Sequence, residues 1–525
     1  MVSIGIYPRA ALDENLFTQL GLVLGIEFTA LDDHRTFQGR IILVAGNAIG
    51  AALKQWAEDG IPTMVVNREH ASSADSEDKL NFAVSESVPE VFRGREVSVK
   101  KAAYTTFAST EGFEPLVTAK GGVVCASDRA CIASGFCLPK LGEYEILADY
   151  LNGETFAELL PLYHFLRTLT KGNENIGDYR ACIIVDDPNL HRPTYGHLDY
   201  ASLLKLGSDH RAHFSMATVP FDAWWIGRRP AAMFCQNPDV LSLLIHGAVH
   251  THHELASTQA GGTGAEMFAY VARKVAQIET GSGVKVSKIV APPHGVVSEE
   301  TMRQMLPFGI EGVTTNRWSL WKYNDRTSRP PRTGLTSADI LAGAMPVIER
   351  FRFNSTHCLT DLLIAAYLGK PIIPYGHHQD FADLKTVVQT VNWVNSLGPV
   401  KWMDPDELFK TNFSITRTED HCCITPFSRS VKLRTPPSRT LRVRNPGFSS
   451  SMVDGVWVGF TEDGRDPSAS QRVNFDELVE IPSAGWVSIL VNGHPQNANR
   501  EREQKVSLGQ AMRRVAAEAR DRLRI

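Results

Sequence analysis

From about Asp178 to about Phe409 the chain repeats one rhythm, a short apolar run, then a polar cluster, then a helical pattern. RACIIVDD, AHFSMATVPF, VLSLLIHG, SKIVAPPHG, EGVTTN, MPVIERFRF and KPIIPYGHH carry apolar runs too short for core helices and read as buried strands. GAEMFAYVARKVAQIE, SEETMRQML, LTDLLIAAYLG and LKTVVQTVNWVNSLG place apolar residues at helical spacing. Alternation of this kind predicts parallel strands covered by helices. The strand runs predict a distorted (β/α)7-type barrel over residues 172–425.

A chain of 525 residues exceeds what one core can fill, so the barrel needs companions. Residues 1–171 carry the strands SIGIY, RIILVAG, PTMVV and GGVVCAS with the helical stretches ENLFTQLGLVL and AIGAALKQWAEDG, which predicts an open parallel α/β sheet. In its order of elements this region resembles a flavodoxin-like or class I glutamine-amidotransferase-like domain. The amidotransferase nucleophile would need a Gly-x-Cys-x-Gly turn, which Cys125 in GGVVCAS lacks, so the domain is read as non-catalytic. Gly46 and Gly50 in AGNAIGAAL fit a tight strand-to-helix turn more simply than a phosphate loop. Residues 426–525 change character: KLRTPPSRTLRVRNP, MVDGVWVGF and GWVSILVNG predict a β-sandwich, and an amphipathic helix from roughly Glu501 to Arg522 is expected to pack on it. The fold class is thus multidomain α/β.

A formal net charge of −4 provides no basic field for binding a nucleic acid backbone. The opening residues lack a leader pattern, and no apolar stretch is long enough to span a bilayer, which leads to the expectation of a cytoplasmic protein with no transmembrane segment. The eight cysteines include no C-x-x-C pair; Cys125, Cys131 and Cys137 read as reduced core thiols, and adjacent Cys422 and Cys423 seldom both reach one ion.

Chemistry is concentrated where polar clusters follow barrel strands. Asp186 and Asp187 follow ACIIV, His246 and His250 follow LSLLI, Pro293 and His294 follow KIVA, and His377 and His378 follow PIIPYG. In a (β/α) barrel these positions converge at the C-terminal mouth. Two adjacent buried carboxylates are costly unless a cation or proton neutralises one of them. Histidines four apart can share a metal if they lie on a helical turn, and with one aspartate they complete a three-ligand set. Such an ion would acidify its water and polarise a carbonyl while the second aspartate accepts the proton, which is the chemistry of amide or ester hydrolysis.

VDDPN, HGAVH, APPHG and the late histidines resemble, in that order, the motifs of the polysaccharide deacetylases with the NodB-homology domain, the carbohydrate esterase family 4-like barrels. The resemblance implies that Asp187, His246 and His250 hold one divalent metal, with zinc the default and nickel, cobalt or iron as alternatives. It implies Asp186 as the catalytic base, His377 or His378 as the acid that protonates the leaving amine, and Pro293 and His294 as substrate and oxyanion contacts. Family spacing favours His250 over His252 as a ligand, and His253 and Glu254 read as supporting or solvent-facing groups.

Two departures stand out. Ala291 occupies the place of the arginine that orients the base, and Pro188 replaces the glycine after the aspartate pair. Trp224 and Trp225 are candidates for sugar stacking or an apolar lid, as are Trp318 and Trp321. The implied activity is metal-dependent removal of an N-acetyl or other small acyl group from an amino sugar or glycan precursor. A deformylase or esterase on the same site is the near alternative, and a non-catalytic carbohydrate-binding barrel, suggested by the missing arginine, is the distant one.

Overall fold

The computed structural model describes residues 2–9, 14–33, 37–45, 63–67, 78–100, 102–107, 112–128, 131–170, 178–251, 253–256, 264–417, 421–436, 440–462, 470–481, 485–493 and 506–523. The chain divides into two compact units. One comprises Met1–Gly172, Arg326–Leu335 and His357–Leu368; the other comprises Asn173–Asp325, Thr336–Thr356 and Gly369–Ile525.

The first unit is built on a nine-stranded sheet. Its strands Ile26–Ala30, Val2–Tyr7, Arg40–Ala45, Thr63–Asn67 and Cys131–Cys137 run parallel in that spatial order. The expected all-parallel sheet stops there. Gly122–Ser127, Glu114–Ala119, Asp78–Phe82 and Glu96–Val99 continue it antiparallel. The reason is local: Glu114–Ala119 and Gly122–Ser127 are joined only by Lys120 and Gly121, both with positive φ (48° and 77°). A two-residue link of that conformation makes a hairpin and cannot make a parallel crossover. Cys125, Cys131 and Cys137 are buried and in no disulfide. AIGAALKQWAEDG, with Gly46 and Gly50, lies outside the described residues.

The stretch LTDLLIAAYLG forms the helix Cys358–Leu368, which clusters with this first unit. Asp361 Oδ1 accepts the Gly153 N–H at 2.7 Å, and Arg167 Nη1 donates to Tyr367 O at 2.7 Å. The helix is buried almost all round, from Leu362 through Leu368, unlike a one-sided surface helix.

The second unit contains a curled nine-stranded sheet in the order Asp339–Leu341, Met345–Glu349, Gly312–Thr315, Val286–Val290, Leu241–Ile245, Phe214–Thr218, Ile183–Asp186, Pro374–Gly376 and Phe351–Arg352. All pairings are parallel except that of Asp339–Leu341 with Met345–Glu349. The two ends of the sheet are bridged at one residue. Arg350 donates its N–H to Thr315 O at 3.0 Å, and the next residue, Phe351, donates to Ile373 O at 2.8 Å. Along each strand the side chains alternate between two cores. Ile183, Val185, Met216, Leu243, Ile245 and Val347 face the helices. Cys182, Ile184, Ala217, Leu244, Ile348, Ile373 and Tyr375 form the opposite set, inside the curl.

Beyond Asn412, two four-stranded sheets pack face to face: Phe413–Arg417, Cys422–Pro426, Thr440–Val443 and Leu478–Glu480 against Ser430–Arg434, Trp486–Gly493, Val453–Thr461 and Ser470–Val473. Both contribute to one aliphatic core that includes Ile424, Val431, Leu441, Val458 and Ile489. Cys422 and Cys423 are buried and unbonded there. The last helix, Leu508–Leu523, makes its described polar contacts with barrel loops and not with the sandwich. It buries Arg514, Glu518 and Asp521 while exposing Leu508, Met512 and Val515. Among the described residues no helix is long and apolar enough to cross a membrane.

Candidate metal centre

The alternation that builds the barrel also aims its site. Asp186 continues the inward series of Cys182 and Ile184, His246 follows Leu244, Arg350 follows Ile348, and His377 follows Ile373 and Tyr375. Side chains at the ends of separate strands therefore share one mouth. Ladder bonds hold these ends in place: Asp187 N donates to Ala217 O at 3.1 Å, His246 N to Thr218 O at 2.9 Å and Ala291 N to Ile245 O at 2.8 Å.

Asp187, His246 and His250 each place one ligand atom within 4.8 Å of the others. His250 Nε2 lies 3.2 Å and His246 Nε2 3.7 Å from Asp187 Oδ1. The fit to a metal is tested by His246. Its Nδ1 is 2.7 Å from Ala291 O, and since a carbonyl only accepts, Nδ1 carries the proton. Its Nε2 is then a bare lone pair, and this buried atom has no hydrogen-bond partner. Burial pushes the His246 imidazole down to about 4, so it stays neutral at ordinary pH. A neutral, oriented, orphaned nitrogen beside a carboxylate is what a divalent cation requires.

The two histidines do not share a helical turn, as the spacing suggested. HGAVH is an irregular loop after Leu241–Ile245, with Gly247 at φ 64° and His250 at φ 59°. Glu254 shapes it. Its carboxylate accepts the N–H groups of Ala248 (2.7 Å), His250 (3.1 Å) and Thr251 (3.1 Å) and the Thr251 hydroxyl (3.2 Å). Glu254 is thus the organiser of the ligand loop. Asp187 (φ 83°) and His294 (φ 57°) share the left-handed backbone of His250. For non-glycine residues that costs on the order of 1–3 kcal/mol each, and it clusters where function dictates side-chain direction. His252 lies outside the described residues.

Asp186, next to the cluster, is buried and paired with Arg350, whose Nη1 donates to Oδ1 at 2.7 Å. Burial alone would raise its pKa, but the charge and hydrogen bond of Arg350 hold it below the usual carboxylate range. The Arg350 guanidinium stacks 4.0 Å over the ring of Tyr375. Asp186 is thus held by an arginine from the strand end after Met345–Glu349, while Ala291 offers no such group. Sequence reasoning passed over Arg350 although its parity with Ile348, two residues earlier, marked it as inward-facing.

The late histidines diverge. His377 keeps the inward parity of Ile373 and Tyr375, and its backbone N–H donates to Asp380 Oδ2 at 2.9 Å. His378 has the opposite parity and packs in a buried niche against Tyr195 (5.8 Å) and His197 (5.7 Å), with Nε2 3.8 Å from Asp521 Oδ1. Pro293 is buried, and the exposed His294 stacks edge-on against His250 and His253 at 5.2 and 5.5 Å. Trp224 and Trp225 pack on His191 in the loop after Asp187 and remain 57% and 46% exposed. Trp318 is exposed as well, whereas Trp321 is a core residue.

A second buried charge network was not foreseen. Arg514, from the last helix, donates from Nη2 to Asp222 Oδ2 at 2.6 Å and to the Asp187 carbonyl at 3.2 Å, with Nη1 3.8 Å from Asp187 Oδ1. On the same helix Glu518 lies 2.8 Å from His191 Nδ1, and Arg522 donates to Asn189 Oδ1 at 2.8 Å. The loop carrying Asp187 is thus stitched to the C-terminal helix.

No protein-family model and no curated protein matches the chain. Among solved structures it is similar to a family 4 carbohydrate esterase from Streptomyces lividans in complex with acetate, at 14% identity over 43% of this chain and 92% of that one, with a TM-score of 0.27. It is similar also to the catalytic domain of a peptidoglycan N-acetylglucosamine deacetylase from Eubacterium rectale (14% identity, 46% and 95% covered, TM-score 0.26). A third is a family 4 acetyl xylan esterase from Clostridium thermocellum in complex with a cobalt ion (13%, 44% and 90%, TM-score 0.25). The chemistry of the site rests on its own geometry.

Proposed function

We propose that this protein is a metal-dependent hydrolase that removes an acetyl or similarly small acyl group from an amino sugar within a glycan or glycan precursor. The observation that carries the reading is the orphaned His246 Nε2 beside Asp187 and His250, with the buried, tethered Asp186 next to it. Asp187 Oδ1, His246 Nε2 and His250 Nε2 would hold the ion. A divalent cation on such a set supplies Lewis-acid polarisation and acidifies water, with zinc the default and nickel, cobalt or iron compatible with the same ligands.

The remaining work falls to the chain. Asp186, kept ionised by Arg350, accepts a proton from the attacking water. Water oxygen bonds to the acyl carbon, the carbon–nitrogen bond breaks, and His377 delivers the proton that the departing amine needs. The products are a carboxylate and a free amino sugar. Pro293 and His294 border the acyl group, and Trp224 and Trp225 offer flat apolar faces to a sugar ring at the rim. The case for a barrel that only binds sugar rested on the missing arginine at Ala291, and the Arg350–Asp186 pair supports the catalytic reading over it.

The test is metal content by elemental mass spectrometry on protein purified without an affinity tag, beside an Asp187→Ala, His250→Ala variant, followed by acetate and formate release from matched N-acylated amino sugars. About one equivalent of metal, lost in the variant and accompanied by acetate release, is the expected result. Failure to retain zinc, nickel or cobalt after incubation would overturn the proposal. Formate release without acetate would redirect it to a deformylase.

A further inference from the structure

The sandwich has an outer face that its core does not use. In Ser430–Arg434, Val453–Thr461 and Trp486–Gly493 the aliphatic residues Val431, Val456, Val458, Val487 and Ile489 point into the core. Residues of the other parity, among them Lys432, Arg434, Trp457, Gly459, Trp486 and Ser488, line a cleft of about 1050 Å³. Its far wall includes Lys401 and Lys410 from the barrel side. Lys401 lies on Val400–Trp402, which pairs with Tyr179–Ala181, the run leading into the N-terminal end of Ile183–Asp186. The cleft therefore opens at the end of the barrel opposite the mouth.

The sheet register gives the cleft a shape. Lys432 stands opposite Ser488, Ser488 opposite Gly459, and Gly459 opposite Ser470, so small side chains make a floor across three strands. Trp486 is opposite Thr461, four residues along the strand from Trp457. At strand rise the two indoles are placed about 13 Å apart, one on each side of that floor. Arg434 lies 5.5 Å over the Trp486 ring.

The charge is one-sided. Arg180, Lys401, Lys410, Lys432 and Arg434 line the cleft against Asp178 and Glu407, and Asp178 is already paired with Lys401 at 2.7 Å. Arg180 is the most telling. Buried at 6% exposure, it donates to Thr411 O, Asn412 Oδ1, Ser337 Oγ and Gly369 O, all neutral, and has no ion-pair partner among the described residues. Burial lowers its pKa to about 10, so it remains a cation at neutral pH. A buried guanidinium without a carboxylate is costly, and an anion entering the cleft would offset that cost.

We propose that this cleft binds an acidic oligosaccharide, with the indoles stacked on sugar rings and the basic side chains paired with ring carboxylates. A groove of aromatic and basic groups also suits single-stranded nucleic acid. The choice of a glycan rests on the deacetylase reading of the mouth. Binding at the opposite end leaves that mouth free and tethers the enzyme to a polymer, raising the effective concentration of acylated units.

The experiment is calorimetric titration of the full chain with oligogalacturonate, a chitin oligosaccharide and oligothymidylate. It uses wild type, Trp457→Ala with Trp486→Ala, Lys432→Gln with Arg434→Gln, and Asp187→Asn. Oligogalacturonate should bind wild type and Asp187→Asn alike, and the tryptophan pair should weaken it about tenfold or more. The Lys432, Arg434 variant changes only partly exposed side chains and guards against misfolding of the first; it should lower affinity and flatten the salt dependence. No binding of oligogalacturonate, unchanged binding in both cleft variants, equal binding of the neutral chitin oligosaccharide, or tighter binding of oligothymidylate would each overturn the proposal. Binding that persists in a protein with no acyl-releasing activity supports the cleft while failing the deacetylase reading. Acetate release without cleft binding does the reverse.

Discussion

Arg350 donates from Nη1 to Asp186 Oδ1 at 2.7 Å, and both residues are essentially excluded from water. The arginine stands where its strand leaves Thr315 to pair with Ile373, so the residue that links the two edges of the curled sheet also holds the Asp186 carboxylate. Removing one partner of a buried ion pair strands the other charge.

Arg350→Met is accordingly expected to destabilise the second unit by about 3–5 kcal/mol and to abolish turnover. Arg350→Lys keeps the charge but loses the planar stack on Tyr375, so it should fold and retain metal while kcat falls with little change in KM. Thermal melting and steady-state kinetics on both variants check this. Full activity in Arg350→Lys would show that orientation of Asp186 is set elsewhere.

Glu254→Gln tests the loop that carries His250. The neutral amide cannot accept all the N–H groups that the carboxylate gathers, so metal affinity should drop about 10–100-fold, as for other groups that orient ligands. Competition against a chromogenic chelator measures it. An unchanged affinity would mean that the left-handed turn at His250 holds itself.

The two late histidines should separate cleanly. His377→Ala is expected to keep fold and metal while kcat falls by about 10²–10⁴, the usual range for a general acid. His378→Phe should leave chemistry nearly intact, its ring filling the niche beside Tyr195 and His197. A reversal of these effects would exchange their roles.

Glu518 supplies a pH signature for the C-terminal helix. Burial acts to raise its pKa, but hydrogen bonds from His191 and Arg522 pull it down to about 2. A depressed carboxylate contributes stability that is fully present above its unfolded pKa, near 4.3, and is lost as pH falls toward the folded value. The melting-temperature gap between wild type and Glu518→Gln should thus be widest above about pH 5 and close progressively toward about pH 2. A gap independent of pH would sink the ion-pair account.

Much was written in the strand ends. Asp187, His246 and His250 follow apolar runs whose length and continuity dictate buried strands, and a carboxylate beside two histidines at those ends marked a candidate ligand set. Parity along those runs also carried information that the motif reading did not use: it marks Arg350 and His377 as inward and His378 as outward.

What the sequence determined by itself was local: which segments become strands or helices, and which side chains stand at strand ends, because both follow from periodicity over a few residues. Tertiary structure alone decided what depends on contacts between distant segments. Arg350 reaches Asp186 across 164 positions because the curl of the sheet brings their strand ends together. Arg514 reaches Asp187 from a helix that buries charged residues and exposes Leu508, Met512 and Val515, the inverse of the pattern by which helices are usually oriented. Glu254 could be read as a surface residue until the turn brought the backbone N–H groups to it, since a carboxylate is stable in water or among donors, and only the fold decides which surrounds it.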